Sequence, residues 1–343
     1  MTHALPEFPR ASVPRRVGAA LARVPAAMRR NLAAHDWLAG GFHLAMWARV
    51  AFAPDSGDAA IARRTAVALS VCTLTVLVLT RGDLLPAGRA RALFYRLGLF
   101  VPTFLSYFEL RYLLPALRPD LLDLELHGLD TTLFGVSPAV YLDRFVAPGS
   151  TEWFAFFYYS YFYILAAYLT GSLFFDRQRR RLGEIMAGAT IVVCFAHFTY
   201  TLVPGMGPHA ALVFENDLVG GFWWNLVAST VSEGGAQLDI FPSLHTAFPT
   251  YFLLHAIRHR ETPVFAVAWP ITAFFVANII IATLFLRWHW GVDILAGLAL
   301  AAFAHRAGVM ISAREVDRAS RGAQPVWEPY LTDAATESRT HDA

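Results

Sequence analysis

The 343-residue sequence contains no lysine: all 28 of its Lys and Arg positions are arginine. Chemistry that depends on a lysine amine, such as a Schiff base or the lysine of a P-loop, is therefore excluded. Cysteine is nearly absent as well. Cys72 and Cys194 both fall inside apolar runs, where two small buried side chains are a better reading than a disulfide or a metal site. Charge is scarce, at 16% of residues against about 25% in soluble domains. There is no HExxH stretch and no histidine-rich box, which leaves a metal-dependent enzyme short of ligands. Residues 1–35 are rich in arginine but lack the compact apolar stretch of a secretory signal, so they are expected as a basic N-terminal cytoplasmic arm.

What is abundant is apolar surface, 56% of the residues. Runs of about 20 apolar residues, enough to cross a bilayer as helices, recur along the chain. In lipid every backbone polar group must be satisfied internally, and these runs are too continuous for barrel strands. The expected fold is all-α, one polytopic transmembrane helix bundle over 36–311. Its spans are placed at roughly 36–53, 63–80, 92–114, 151–175, 183–203, 243–257, 264–286 and 290–311. The first is diluted by Gly40, Gly41, His43 and Arg49 and reads equally as an interfacial helix. Arginines gather between Arg10 and Arg30, Arg81 and Arg96, Arg177 and Arg181, Arg258 and Arg260, and after Arg306. The positive-inside rule puts all of these on the cytoplasmic side, with both termini. Segment 115–150 mixes leucines with Asp120, Asp123, Glu125 and Asp130 and predicts short amphipathic helices on the outer membrane surface. Residues 312–343 are polar without a core-forming pattern and are expected to be a disordered cytoplasmic tail.

Two stretches carry chemistry, and the topology puts both at the same, non-cytoplasmic face. The first is Phe241-Pro242-Ser243-Leu244-His245; the second is Arg287-Trp288-His289-Trp290-Gly291-Val292-Asp293. His289 and Asp293 stand four apart and share a helical face. A carboxylate there can hold one imidazole nitrogen and leave the other free as a nucleophile. Arg287 offers a planar fork of donors suited to phosphate. Pro242 and Ser243 open a helix whose free N–H groups favour an anion, and His245 is placed to protonate a leaving alkoxide. Each piece has a plainer reading: an interfacial histidine, a structural His–Asp hydrogen bond, an ordinary helix cap or a snorkelling arginine. Their joint occurrence at one face favours a phosphate site.

These stretches resemble the second and third signature motifs of the type 2 phosphatidic acid phosphatase superfamily, and more closely those of its inositol phosphorylceramide synthase branch. Leu244 stands where the superfamily's second motif has Gly, and Thr283 where its third has Arg; His289 and Asp293 keep their spacing. Arg287, two before the histidine, fits the inositol phosphorylceramide synthase branch. Asp130 with Leu133-Phe134-Gly135 and Pro138, then Tyr158, Tyr159 and Tyr161, then Tyr200 with Pro204, Gly207 and Pro208 extend the resemblance over roughly residues 100–305. It implies a six-helix catalytic core and a metal-independent, cofactor-free enzyme. In it His289 would form a phosphohistidine, Asp293 would hold it, and His245 would protonate the leaving group.

Arg287, Ser243, Tyr200 and Arg118 are the expected phosphate-binding residues. The superfamily's first motif needs a lysine; Arg111, Arg118 and Pro119 imitate its spacing but lie two spans too early. The partners implied are a phospholipid or lipid-phosphate donor, a lipid or polyol acceptor and the membrane, with no nucleic acid. An integral membrane location follows, the inner membrane if the source is bacterial. Two readings share the site: a lipid phosphotransferase, or a lipid phosphate phosphatase in which water is the acceptor. A transporter is the reading from another class; it predicts broken helices at mid-membrane and paired repeats, and the residues above lie at the membrane edge.

Overall fold

The computed structural model describes residues 13–117, 120–235 and 237–327. Among them the chain is all-α, with no strand. The long helices are α1 (Val13–Asn31), α2 (Ala34–Ala51), α3 (Gly57–Arg81) and α4 (Arg89–Leu117). Two short ones follow, α5 (Asp123–Phe134) and α6 (Pro138–Asp143), then α7 (Pro148–Thr170), which ends in a π-turn over Gly171–Phe175, and α8 (Arg179–Tyr200). The short α9 (Pro208–Ala211) and α10 (Phe222–Glu233) precede α11 (Leu244–Arg258), α12 (Pro263–Phe285) and α13 (Gly291–Ser320). Four of these, α3, α8, α12 and α13, are long and apolar enough to cross a membrane, and the chain is an integral membrane protein.

Local sequence explains the starts. Ser56 caps α3 by accepting from the Ala59 amide at 3.0 Å, and Pro148 and Pro263 occupy the first turns of α7 and α12, where a missing N–H costs nothing. Composition explains the placement. α8 is the central helix, buried along nearly its whole length, with Gly183, Ala187, Gly188 and Ala189 on its surface. Small residues let neighbouring backbones approach. On α13 a Cβ added at Gly308 would lie 2.7 Å from the Glu184 carbonyl of α8. α12 is the opposite case. Val264, Val267, Ile271 and Phe274 are all exposed, the outward apolar face that lipid requires.

α2 runs the full length of the bundle. Its first residue, Ala34, donates to Glu315 near the end of α13, while Arg49 near its other end reaches the Thr201 carbonyl just after α8 (2.7 Å). The polar residues that dilute its apolar run turn inward. Asp36 is buried between the Arg81 guanidinium (2.9 Å) and the Tyr95 hydroxyl (2.6 Å), and His43 is buried too.

One expectation needs correction. α13 continues to Ser320, well past the boundary at 312, and Trp327 is 3% exposed. The Trp327 ring packs on Tyr95 (5.5 Å) and its indole donates to His35 Nε2 (3.1 Å). Trp327, together with Glu315 on the Ala34 amide (3.2 Å) and Arg318 on the Asn31 carbonyl (3.2 Å), ties residues 312–327 to α1, α2 and α4; residues 328–343 lie outside the described residues. As expected, α5 and α6 are short helices with two unlike faces. Leu124, Leu129 and Leu133 are exposed, whereas Asp123, Asp130 and Asp143 are buried. These carboxylates face the bundle because unpaired backbone donors wait there.

The bundle has two chemically different ends. At one, Glu184 of α8 gathers Arg258 (3.0 Å), Arg180 (3.3 Å) and His259 (2.7 Å). At the other lie the end of α8 and the starts of α11 and α13, and with them both histidine stretches.

Candidate active site

His289 is the residue before the α13 cap. The Asp293 carboxylate turns back from the first turn, and its Oδ2 accepts from the Trp290 amide at 2.9 Å while standing 3.2 Å from His289 Nδ1. One carboxylate thus caps the helix and fixes the imidazole, leaving Nε2 for chemistry. Asp293 is fully buried and His289 is 5% exposed.

The start of α13 is braced from α5. Asp130 accepts from the amides of Gly291 (3.0 Å) and Val292 (2.9 Å) and from Ser137 Oγ (3.3 Å). An anion at a helix N-terminus pairs orphan donors and meets the positive end of the helix dipole. Asp123 braces the residue next to the histidine: it accepts from Trp290 Nε1 (3.1 Å) and from the amides of Met206 (2.9 Å) and Gly207 (2.8 Å). Gly207 has φ of 94°, and a Cβ there would sit 2.6 Å from the Trp288 carbonyl. The loop can pass this close to the Arg287–Asp293 stretch only as glycine.

α11 is stapled to the same point. The Ser243 amide donates to the Asp293 carbonyl (3.1 Å), and the Ser243 hydroxyl caps α11 through the Thr246 amide (3.3 Å). His245, in the first turn, lies against Tyr158 (ring centroids 4.2 Å apart, 17° between planes) and Tyr161 (4.1 Å). Its ring is 6.2 Å from that of His289, and its Nε2 is buried without a hydrogen-bond partner. Both histidines line one cavity of about 470 Å³.

The four expected phosphate ligands are not brought together. Tyr200 lines the cavity, but its hydroxyl donates to the Pro242 carbonyl (3.1 Å), which ties α8 to the stretch before His245. Ser243 is fully buried and does not line the cavity. Arg287 does not line it either. Its guanidinium pairs with Asp143 Oδ1 (2.7 Å), donates to the Asn216 carbonyl and stacks over Phe214 (4.0 Å). Its backbone is left-handed, φ 67°, a conformation costing a non-glycine residue about 1–2 kcal/mol. The ion pair, the stacking and the His209 amide on its carbonyl (3.0 Å) hold it there. Arg287 is thus a clamp on the loop before His289. Arg118 lies outside the described residues; Arg111 does not line the cavity and stands 3.5 Å from the Glu233 carbonyl.

The cavity also holds groups that the sequence motifs did not mark. Tyr107, His209 and Asp239 line it. Enclosure in the loop before α11 raises the Asp239 carboxyl above its usual range, and burial of His209, in the preceding loop, lowers its pKa. Asp239 stands six residues before His245 with no motif around it; its position becomes visible only once α4, α7 and α11 close on the loop.

Residues 124–307 match the model of the PAP2 superfamily, more than half of the chain. The chain belongs to this superfamily. No curated protein and no solved structure matches it. The match runs from the bracing helix α5 to the middle of α13, so it takes in the brace, both histidine stretches and most of the cavity wall. For a PAP2 protein, a lipid phosphate is the expected class of substrate.

Proposed function

We propose that this PAP2 protein is a lipid phosphotransferase that moves a phosphoryl headgroup from one lipid to another acceptor through a phosphohistidine on His289. One observation carries the reading: His289, oriented by Asp293, and the unpartnered His245 line the same cavity with rings 6.2 Å apart. His289 Nε2 attacks phosphorus, the bond from phosphorus to the diacylglycerol oxygen breaks, and His245 delivers a proton to that oxygen. The acceptor hydroxyl then gives its proton to His245 as its oxygen displaces Nε2 from phosphorus. Asp293 holds Nδ1 through both halves and stabilises the positive charge that His289 gains in attack.

Transfer is favoured over hydrolysis by the walls. Phe104, Phe108, Phe162, Leu165 and Phe248 line the cavity beside the tyrosines, a lining that excludes water from the intermediate. The resemblance of the Arg287–Asp293 stretch to inositol phosphorylceramide synthases, which are transferases, points the same way. The active site opens at the non-cytoplasmic face in this reading, because the Arg258 and Arg180 cluster marks the other end.

The test is turnover by detergent-purified protein given phospholipid donors with and without lipid and polyol acceptors, followed by mass spectrometry. A new headgroup-bearing product with released diacylglycerol, lost in His289→Ala, is expected. Diacylglycerol with free phosphate or free headgroup phosphate, and no acceptor product, makes the protein a hydrolase, and full turnover by His289→Ala removes the nucleophile.

A further inference from the structure

A site for a phosphate should present positive charge, and apart from its histidines this cavity presents none. No arginine lines it among the described residues, and its one acidic side chain is Asp239. Asp239 is built in. The Tyr107 hydroxyl accepts from the Gly235 amide (3.3 Å), and the loop that carries Gly235 and Asp239 lines the cavity together with Tyr107 and His289. A carboxylate beside an incoming phosphate is repulsive unless the ligand brings a compensating positive charge. Aromatic rings complete the surroundings: Tyr107, Tyr158, Tyr161 and Tyr200 line the same cavity, and their faces attract cations.

We propose that Asp239 and these tyrosines form a subsite for an ammonium headgroup, so that the donor is a zwitterionic phospholipid of the phosphoethanolamine or phosphocholine type. This rests on the phosphotransferase reading above. In such a reaction the headgroup stays bonded to phosphorus through both half-reactions, so the enzyme holds it while diacylglycerol leaves and the acceptor enters. With phosphorus at His289 Nε2, the two-carbon spacer of these headgroups directs the ammonium towards the neighbouring carboxylate. A polyol headgroup could use the tyrosine hydroxyls but would leave the Asp239 charge uncompensated beside the phosphate. A protonated Asp239 donating to a phosphate oxygen is the remaining rival, and an amide would keep that donor.

The experiment compares wild type and Asp239→Asn on four donors in the same detergent: phosphatidylethanolamine, phosphatidylcholine, phosphatidylinositol and phosphatidic acid. Wild type is expected to favour the two ammonium lipids in kcat/KM. Asp239→Asn should lose about 30-fold or more on them relative to its loss on phosphatidic acid, the lower range for truncating one partner of an enclosed charge pair. Preference of the wild type for phosphatidylinositol or phosphatidic acid, or equal losses on all four donors, overturns the subsite while leaving the transferase in place. Binding of short-chain phosphatidylcholine and phosphatidylinositol, read by fluorescence of Trp288 in the cavity wall, separates the two claims. Selective choline-lipid binding that Asp239→Asn weakens, without turnover of any lipid, would keep the subsite and remove the transferase. Unselective binding would remove the subsite.

Discussion

Removing the Asp130 carboxylate isolates the contribution of the α5 brace. Asp130 is fully buried, with both oxygens on the amides of Gly291 and Val292, the two residues that follow His289 and Trp290. Asp130→Ala leaves two buried N–H groups without acceptors, at about 1–3 kcal/mol each. The loss of the anion from the helix N-terminus adds up to about 2 kcal/mol in a buried setting. A total of about 2–8 kcal/mol exceeds what the α13 cap can absorb without moving, since the remaining cap, Asp293 on the Trp290 amide, is the group that also holds His289. The histidine stretch should therefore shift, and a displacement of about 1 Å at a reacting group costs about 100-fold in rate. Asp130→Asn keeps one acceptor but turns an NH2 group onto a backbone donor, so it should recover only part of the loss. The assay is kcat and KM for lipid transfer together with the melting temperature in detergent. A purely structural brace would lower the melting temperature and the yield of active protein while leaving kcat per active site, titrated by phosphohistidine formation, unchanged. Wild-type kcat per active site in Asp130→Ala would refute the positioning argument.

Two further outcomes follow from the geometry. Asp293→Asn should lower kcat by about 100- to 10,000-fold with little change in KM, because an amide can favour the wrong imidazole tautomer; a rise in KM alone would contradict the orienting role. At the other end of the bundle, Glu184→Ala removes the carboxylate that gathers Arg258, Arg180 and His259. Its cation partners Arg180 and Arg258 are 54% and 35% exposed, so solvent takes up part of the loss and the cost should be about 1–3 kcal/mol. Thermal melting should shift down while kcat at low temperature holds, and an equal collapse of kcat would show that the two ends are coupled.

The helix bundle was legible because lipid enforces it: eight long apolar runs had no other way to satisfy their backbones, and all eight are helical at nearly the expected positions. The pairing of His289 with Asp293 was legible because it is local, four residues along one helix face. The meeting of His245 with His289 followed from topology, since arginine-bearing loops sorted both stretches to one end. Other features depended on distant parts of the chain. Arg287 has a fork shaped for phosphate, yet Asp143, 144 residues away, claims it. The acidic residues of α5 and α6 alternate with leucines, but only packing decides that Asp123, Asp130 and Asp143 are buried against the α13 start and the 204–217 loop while Glu125 stays exposed. Trp327 lies in a stretch too polar to predict a core, yet its indole finds a partner on α2.

By itself, then, the sequence determined the helical class, the membrane setting and the His–Asp pair, all consequences of local composition and periodicity. The tertiary structure decided which charges meet. Ion pairs and helix caps between elements depend on three-dimensional distance, and for Asp130, Asp143 and Asp239 that distance is set by how α4, α7, α11 and α13 pack around them.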